Sequence, residues 1–376
     1  MLDLNEYQLN NPDELITPCL LVYPHVIRKN IAESLRIAGS ASKLRPHVKT
    51  HKTSQVVALM QAAGITKFKC ATLSEAHMLG TCGAEDVLVA YPQVGPAIGR
   101  LAAIVKEFPQ TRYATVVDNS QSLRALDAAL SQAGLQLTVL LDLDTGMHRT
   151  GIPVGAAARE LYLELCRAKA LVPGGLHIYD GQNHQSELQA RQAAVSHLWP
   201  PIGRMVNELK SHGVPVPKLV CGGTPTFPVF AELEPHDSQT ELECSPGTCV
   251  LSDFNYGRDY ADMSGFQPAA VLLTRVISQH HAGRVTVDLG YKAVASDPPA
   301  GRRCHFLNLS GATELQHSEE HLLLESPQAD QVSVGDVLYA LPAHVCPTVA
   351  LHSHLIVVED GNVVDRWKVA ARDRIV

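Results

Sequence analysis

The sequence predicts an α/β protein, a (β/α)8 TIM barrel followed by a mostly antiparallel β domain, and three observations carry this prediction. Short apolar runs without polar alternation repeat along the chain, with alanine- and leucine-rich stretches of helical length between them. Such runs are typical of parallel strands that helices cover on both faces. After about Asp262 the pattern changes to short, closely spaced strands. A length of 376 residues also exceeds the usual size of one hydrophobic core, so two domains are expected.

The first part of the chain reads as seven or eight β-α units. A strand and a helix are expected at Ile16–Tyr23 and His25–Ala38, and a further extended run ends near Pro46, which suits a strand end better than a helix interior. Later strands are expected at apolar runs: Lys67–Thr72, Asp86–Ala90, Tyr113–Val117, Leu137–Leu143, Gly175–Tyr179 and Leu219–Cys221. A doubly wound open sheet is the alternative, but no GxGxxG motif follows the first strand.

Helices are expected between these strands. Four stretches have helical length and composition: Pro96–Glu107, Ser120–Ala133, Val154–Ala168 and Glu187–His212. Thr72 and Glu75 fit a capping box, and Asn119 offers an N-cap directly after a strand.

The last part of the chain reads as an antiparallel β domain. Its strands are expected at short runs: Ala270–Ser278, Arg284–Leu289, Cys304–Leu309, His321–Glu325, Val337–Leu341 and Leu355–Val369. The last run is interrupted by Asp360-Gly361, and Asp-Gly between apolar runs is a strong hairpin signal.

Composition and net charge favour a small-molecule partner over nucleic acid or a membrane. The net charge of −7 gives no electrostatic footprint for nucleic acid or for an anionic membrane. We expect no secretory leader and no membrane helix, because the first residues are polar and acidic and no apolar run is long enough. Nine cysteines are scattered singly, as expected of reduced thiols in a cytoplasmic protein.

Polar side chains collect at the predicted carboxyl ends of the barrel strands, where barrel enzymes place their function. The first strand end offers Lys49, a position suited to a Schiff-base lysine. Later strand ends offer two polar groups of residues: Asp142, Asp144, His148 and Arg149, and then His177, Tyr179 and Asp180. Each residue alone is a weak signal, and their collection on one face strengthens it.

Two glycine-containing turns follow late strands, at Gly222-Gly223-Thr224 and at Ser245-Pro246-Gly247-Thr248. Exposed backbone N–H groups in such turns suit a phosphate, although a tight turn alone explains the glycines about as well. A lysine, a phosphate cradle and a barrel together suggest pyridoxal 5'-phosphate.

Several long sequence motifs resemble those of a known family. RPHVKTHK, FKCATLSEA, LDLDTGMHRTG, GLHIYDG, GGTPTF, ECSPGT, HSEEH and PAHVCPTVAL occur in this order. They closely resemble the fold-type III enzymes of the D-threonine aldolase and D-serine dehydratase family, from about Ile16 to Arg372. The resemblance implies an alanine-racemase-like barrel over residues 20–262. It also implies a β domain formed by residues 1–19 and 263–376, and usually a homodimer with the active site near the interface.

The resemblance also assigns the cofactor residues. Lys49 would be the Schiff-base lysine, Arg149 would face the phenolic oxygen of the cofactor, and Tyr179 would lie near its pyridine nitrogen. The phosphate and its surroundings would be held by residues of the two turns: Gly222, Gly223, Thr224, Ser245, Gly247 and Thr248.

A metal pair is expected in the β domain, at the sequence PAHVCP. The motif follows a predicted strand, where alternate side chains would point His344 and Cys346 the same way. From the residues alone, a buried histidine beside a small thiol is favoured, whereas the resemblance places the family's metal ligands at this motif. Thiolate with imidazole favours Zn²⁺ over Mn²⁺ or Mg²⁺, and two protein ligands leave room for water and substrate.

The family's cysteine form resembles the zinc-dependent dehydratases, and its aspartate form resembles the aldolases. We therefore expect a lyase of D-β-hydroxy amino acids, of the D-serine or D-threo-3-hydroxyaspartate dehydratase type. D-Threonine aldol cleavage is the first alternative. An amino-acid racemase is the second, because Tyr291 falls roughly where racemases of this fold carry an acid-base tyrosine. A non-enzymatic pyridoxal-phosphate-binding protein is the third, and the extra β domain argues against it. His321, in HSEEH, is a further polar candidate.

Overall fold

The computed structural model describes residues 4–374 of the chain. These residues form two compact units. One comprises the described part of Met1–Glu33, together with Thr50–Val56 and Thr248–Arg372. The other comprises Ser34–Lys49, Val57–Gly247 and the described part of Asp373–Val376. The division into domains expected from the sequence, at residues 20 and 262, stays a prediction.

Strands and helices alternate through much of the described chain. The strands are β1 Cys19–Val22, β2 Lys67–Cys70, β3 Asp86–Val89, β4 Arg112–Val117, β5 Leu137–Asp144, β6 Ile152–Pro153, β7 Leu171–Tyr179, β8 Lys218–Cys221, β9 Glu241–Cys244, β10 Ala270–His281, β11 Arg284–Val287, β12 Cys304–Phe306, β13 Thr313–His317, β14 Leu322–Glu325, β15 Val337–Pro342, β16 His354–Glu359 and β17 Asn362–Lys368. The α-helices are α1 Pro24–Ala38, α2 Ser54–Ala62, α3 Leu73–Thr81, α4 Pro96–Glu107, α5 Ser120–Ala133, α6 Ala156–Leu165, α7 Leu188–Ser211, α8 Phe227–Ala231, α9 Phe254–Asp259 and α10 Val345–Leu351. Within residues 4–374, no helix combines the length and the apolar character needed to cross a membrane.

The barrel is the core of the second unit. Its parallel strands follow the order β2-β3-β4-β5-β7-β8-β9, and the short β6 pairs with β5. The segment from Leu44 to His47 completes the ring, because Leu44 bridges Cys244 on one side and His47 bridges Lys69 on the other, both in parallel. The interior is apolar, and buried side chains pack together on neighbouring strands: Leu88, Ala114, Val116, Leu140 and Val220. The predicted eight-stranded barrel is confirmed.

Local signals fix two barrel helices at the predicted positions. The Thr72 hydroxyl accepts from the Glu75 amide, and the Glu75 carboxylate accepts from the Thr72 amide, so the capping box that opens α3 is confirmed. The Asn119 side chain caps α5 by accepting from the Ser122 amide, and Gly134 ends that helix in the left-handed conformation at φ 66°. Both helices therefore begin where a strand of the barrel has just ended.

A charged network occupies the end of the barrel where the strands begin. Arg45 is only 1% exposed, and its guanidinium donates to Glu243 at 2.5 Å and to Asp86 at 2.6 Å. Lys67 donates to the same Glu243 carboxylate at 2.7 Å. A cavity of about 250 Å³ lies beside this network, lined in part by Arg45, Asp86 and Lys218. Because function in barrels gathers at the opposite end, we interpret this network as a stabilising one.

The first unit is built on a nine-stranded, mostly antiparallel sheet. Its main path is β13-β14-β11-β10-β1-β16-β17, and β15 pairs with both β10 and β12. Most of β1, from Leu20 to Val22, falls inside the range 20–262 expected for the barrel, yet the strand pairs with β10 and β16, strands more than 240 residues away. The predicted hairpin between β16 and β17 is confirmed, with Asp360 and Gly361 at φ 49° and 75° in its turn.

Candidate active site

Lys49 lies just beyond the barrel segment that ends at His47. A single 3-10 turn, Val48–Thr50, follows the last bridge of that segment and carries the lysine at the carboxyl end of the barrel. The His47 ring helps to hold the turn, because its Nδ1 accepts a hydrogen bond from the Lys49 amide at 3.2 Å. The side chain of Lys49 is half-buried. Its position is the one predicted from the sequence, at the end of a barrel strand.

Three cations surround one aromatic ring at this end of the barrel. Tyr179 is the last residue of β7, and Arg149 Cζ lies 5.0 Å from the centroid of its ring. Lys49 Nζ lies 6.0 Å from the same centroid, and Lys69 Nζ lies 5.7 Å from it. The structure therefore brings together Lys49, Arg149 and Tyr179, and adds a lysine that the sequence reasoning did not single out. Such a cluster suits an anionic ligand with a flat ring.

The turns after β8 and β9 are joined to each other. The Gly247 amide donates to the Thr224 hydroxyl at 3.1 Å. Gly222 has a φ of 74°, which a side chain would strain, and a Cβ on Gly223 would lie 3.2 Å from the Tyr179 ring. Since no side chain fills this space, the backbone approaches Tyr179 closely, as a cradle for a phosphate-bearing ligand requires.

Two other residues of the predicted phosphate set have different surroundings. The Ser245 hydroxyl donates to the Arg45 carbonyl at 2.8 Å, and the Ser245 amide donates to the Cys221 carbonyl at 3.0 Å. Ser245 thus uses both of its donors within the barrel. Thr248 belongs to the other unit, where its hydroxyl lies 3.7 Å from Cys346 Sγ.

A buried acid–imidazole pair lies on neighbouring strands of the barrel. Asp142 of β5 and His177 of β7 are direct register partners, and Asp142 Oδ1 lies 2.7 Å from His177 Nδ1. Burial favours a higher pKa for Asp142, but hydrogen bonds and charges, first that of His177, leave its pKa below the ordinary value. Burial lowers the pKa of His177, so its ring is neutral and donates to the Asp142 carboxylate. The other ring nitrogen, Nε2, is buried and has no hydrogen-bond partner among the described residues.

Lys69 is the residue that the sequence reasoning missed. It lies in β2 between Phe68 and Cys70, and all three residues are buried. Burial is the main reason that the pKa of Lys69 falls to about 7, and the nearby charge of Lys49 acts in the same direction. The signal was present in the sequence, since a lysine inside an apolar barrel strand has no exposed face to occupy.

His344 and Cys346 come together in the first unit, but not for the reason expected. Strand β15 ends at Pro342, so the pair does not alternate along a strand; His344 is the N-cap of α10 and Cys346 lies in its first turn. Burial favours a lower pKa for His344, but its hydrogen bonds to Cys346 and Asp297 outweigh it and raise the pKa to about 9. His344 Nδ1 lies 2.5 Å from Asp297 Oδ2. Within residues 4–374, no group of three or more histidine, cysteine, aspartate or glutamate side chains is arranged to hold a metal ion.

Tyr291 and His321 both belong to the first unit. Tyr291 is 39% exposed, and its ring lies 6.1 Å from the ring of His317 in an edge-on arrangement. The carbonyl of His321 accepts from the Ser318 amide at 2.8 Å, which closes a turn before β14. Neither residue gains a catalytic assignment from these contacts.

Two family models match the chain. The model described as the alanine racemase N-terminal domain matches residues 23–242, and the putative serine dehydratase domain matches residues 269–358. A D-threonine aldolase of Arthrobacter sp. is 30% identical over 342 residues, which covers 88% of this chain and 85% of that protein. A D-threo-3-hydroxyaspartate dehydratase of Delftia sp. is 26% identical and covers 93% of this chain and 96% of that protein.

Solved structures agree with these matches. The D-threonine aldolase from Filomicrobium marinum has a TM-score of 0.85 at 25% identity, with 96% of each chain covered. A cysteine-to-alanine variant of D-threo-3-hydroxyaspartate dehydratase, described as a metal-free form, has a TM-score of 0.80 at 24% identity and covers 94% of this chain and 97% of that one. The fold predicted from the sequence is thereby confirmed.

Proposed function

Because the chain belongs to the D-threonine aldolase and D-serine dehydratase family of fold-type III, pyridoxal-phosphate-dependent lyases, we propose that it dehydrates a D-β-hydroxy amino acid. The substrate would be of the D-serine or D-threo-3-hydroxyaspartate class, and the products would be a keto acid and ammonia. The prediction of a lyase agrees with this family, which disfavours the non-enzymatic alternative.

The barrel residues fit an anionic ring cofactor. Lys49 would attach pyridoxal phosphate, and Arg149 would neutralise the ring oxygen, since both cations already face the Tyr179 ring. Gly222, Gly223, Thr224 and Gly247 would receive the phosphate on the joined turns. Ser245 would support these turns through its bond to the Arg45 carbonyl. Bound there, the cofactor supplies an electron sink for charge that develops at Cα.

Lys49 would also move the proton. The Lys49 amine would take the Cα proton of the substrate. Tyr179 would lie near the ring nitrogen of the cofactor, and a phenol there would not keep that nitrogen protonated as a carboxylate would, so the electron sink would be a mild one. Loss of the β-hydroxyl therefore needs assistance from elsewhere.

His344 and Cys346 would supply that assistance by holding a zinc ion. The donor set fits, because a thiol lies within hydrogen-bond reach of an imidazole whose Nδ1 is held by Asp297. Zinc favours thiolate and imidazole ligands, and when bound with open positions it acts as a Lewis acid on an oxygen. The Thr248 hydroxyl lies 3.7 Å from Cys346 Sγ, and its assignment to the phosphate set stays a prediction.

The choice of dehydration over aldol cleavage rests on one observation, the thiol of Cys346 beside His344. Within the family, a cysteine at this motif resembles the zinc-dependent dehydratases, whereas an aspartate resembles the aldolases. One observation favours the aldolase alternative: the D-threonine aldolase of Arthrobacter sp. shares 30% identity, more than the 26% of the dehydratase. A homodimer and a cytoplasmic location stay predictions beside this proposal.

The role of the metal motif is tested by mutation of His344 and by removal of the metal. Protein reconstituted with pyridoxal phosphate and zinc is incubated with D-serine, beside His344→Ala and a chelator-treated sample. We expect keto acid from the first only, while all three samples keep the absorbance of the bound cofactor. Full activity in metal-free protein would overturn the role of His344 and Cys346. Chiral analysis of remaining substrate separates racemisation from either lyase reaction.

A further inference from the structure

Lys69 has an unusual position for a lysine. It is 2% exposed and lies in β2, between two neighbouring barrel strands. Its amide donates to the Pro46 carbonyl at 2.9 Å, and the residue bridges His47, so β2 runs beside the segment that carries Lys49. Its Nζ lies 5.7 Å from the centroid of the Tyr179 ring. The second amine therefore faces the same aromatic ring as Lys49.

The charged groups near Lys69 do not neutralise the positive charge of its ammonium. Lys49 and Arg45 disfavour its charged form, and Asp142 and Cys221 favour it. Asp142 is already engaged, because its carboxylate accepts from His177 and from Thr150. Within residues 4–374, no ion pair or hydrogen bond reaches Lys69 Nζ. A buried ammonium without a partner is costly, so this position calls for an anionic group that lies against the ring of Tyr179.

A purely structural lysine would have a different environment. Lys67, two residues earlier on the same strand, shows it: its ammonium is bound to the Glu243 carboxylate at 2.7 Å and to the Ser42 carbonyl at 3.1 Å. Lys69 has neither kind of contact, and His177 Nε2, in the same set of interacting buried groups, also lacks a partner in the described chain. A buried amine over the Tyr179 ring and a buried imidazole nitrogen without a partner point to one ligand beside Tyr179.

We propose that Lys69 is a positioning residue of the cofactor site, whose ammonium supplies, together with Arg149, positive charge for the ring oxyanion of bound pyridoxal phosphate. The inference rests on the proposed function in one respect, the identity of the cofactor. The oxyanion would in turn stabilise the ammonium, whose pKa is held at about 7 by burial and by Lys49 in the protein alone. Lys69 thus acts through the cofactor and does not itself need to touch the substrate.

The test is spectroscopic. Lys69→Met keeps the length of the side chain and removes its charge, and Lys69→Arg keeps the charge. Lys106→Met, an exposed position on α4, is the matched control. For each protein loaded with pyridoxal phosphate, the visible absorbance of the bound cofactor is titrated with pH. A nearby cation favours loss of a proton from the cofactor, so Lys69→Met should raise the pH midpoint, by roughly one pH unit.

Lys69→Arg and Lys106→Met should keep a midpoint close to that of the wild type. An unchanged midpoint in folded Lys69→Met, with cofactor bound as tightly as in the wild type, would overturn the proposal. Should Lys69→Met not fold, as judged by circular dichroism, Lys69→Gln takes its place in the same comparison. A lost packing contact alone would reduce stability without moving the midpoint in this direction.

A second measurement separates this proposal from the proposed function. The loaded wild-type protein is reduced with borohydride, digested, and the lysine that carries the pyridoxyl group is identified by mass spectrometry. A label on Lys49 with an unmoved Lys69→Met midpoint overturns only the role of Lys69. A label on Lys69, or no label, overturns the assignment of Lys49 and with it the proposed function.

Discussion

His344 Nδ1 lies 2.5 Å from Asp297 Oδ2, across 47 residues of sequence. The contact fixes the orientation of the imidazole at the start of α10. Histidines that bind metals commonly donate their second ring nitrogen to a carboxylate, which orients the ring and makes it a better ligand. Asp297 is therefore expected to support a metal on His344 and Cys346 without binding the ion itself.

Asp297→Asn should weaken zinc binding by about 10- to 100-fold, because the amide holds the imidazole less firmly than the carboxylate. Competition with a chromogenic chelator measures the affinity. Asp13→Asn serves as the control, since Asp13 is an exposed carboxylate paired with Arg275. Equal zinc affinity in Asp297→Asn and in the wild type would show that this contact does not support a metal.

Thr224→Val should weaken pyridoxal phosphate binding. The Thr224 hydroxyl accepts the Gly247 amide at 3.1 Å and ties the two turns together, and a hydrogen bond of this kind contributes about 0.5–1.5 kcal/mol. The dissociation constant should therefore rise by roughly 2- to 10-fold. Thr81→Val is the matched control, because the Thr81 hydroxyl donates to the His77 carbonyl at an exposed position of α3. Identical affinities for all three proteins would contradict the role of the joined turns.

Stability should fall in acid through Glu243. Burial favours a higher pKa for this carboxyl, but the Arg45 guanidinium outweighs burial and lowers the pKa to about 2. In the unfolded chain a glutamate titrates near ~4.3, so the ionised form is favoured by folding. The contribution, roughly 3 kcal/mol, is complete above about pH 5 and is lost as the pH falls toward 2.

Urea unfolding between pH 7 and pH 3 measures this loss. In Glu243→Gln the charge is absent at every pH, so that variant should be less stable at pH 7 and should lose less on acidification. A wild-type free energy of unfolding that stays constant down to pH 3 would show that the Arg45 network contributes little.

Short sequence patterns predicted helix caps and turns, which depend on residues close together in the sequence. The capping box at Thr72 and the Asp360-Gly361 turn depend on residues within four positions of each other, and both are confirmed. The pairing of β1 with β10 and β16 depends on residues more than 240 positions apart, and an apolar run gives no information about its partner.

The site residues, like the fold, were predictable only where their positions depend on local sequence. Lys49, Arg149 and Tyr179 were predicted to lie close together because each lies at or beyond the end of a strand, and strand ends of a barrel meet at one edge. Lys69 was missed because it lies inside its strand, and Asp297 was missed because its contact with His344 joins residues 47 positions apart. Both needed three-dimensional neighbours that no spacing rule supplies.

The products formed from D-amino acids test the central claim most directly. Protein loaded with pyridoxal phosphate and zinc is incubated separately with D-serine, D-threo-3-hydroxyaspartate and D-threonine, with Lys49→Ala as the inactive control. The proposed dehydratase should release keto acid and ammonia in equal amounts, from D-serine or from hydroxyaspartate. Release of glycine and an aldehyde, with no keto acid from any substrate, would contradict it.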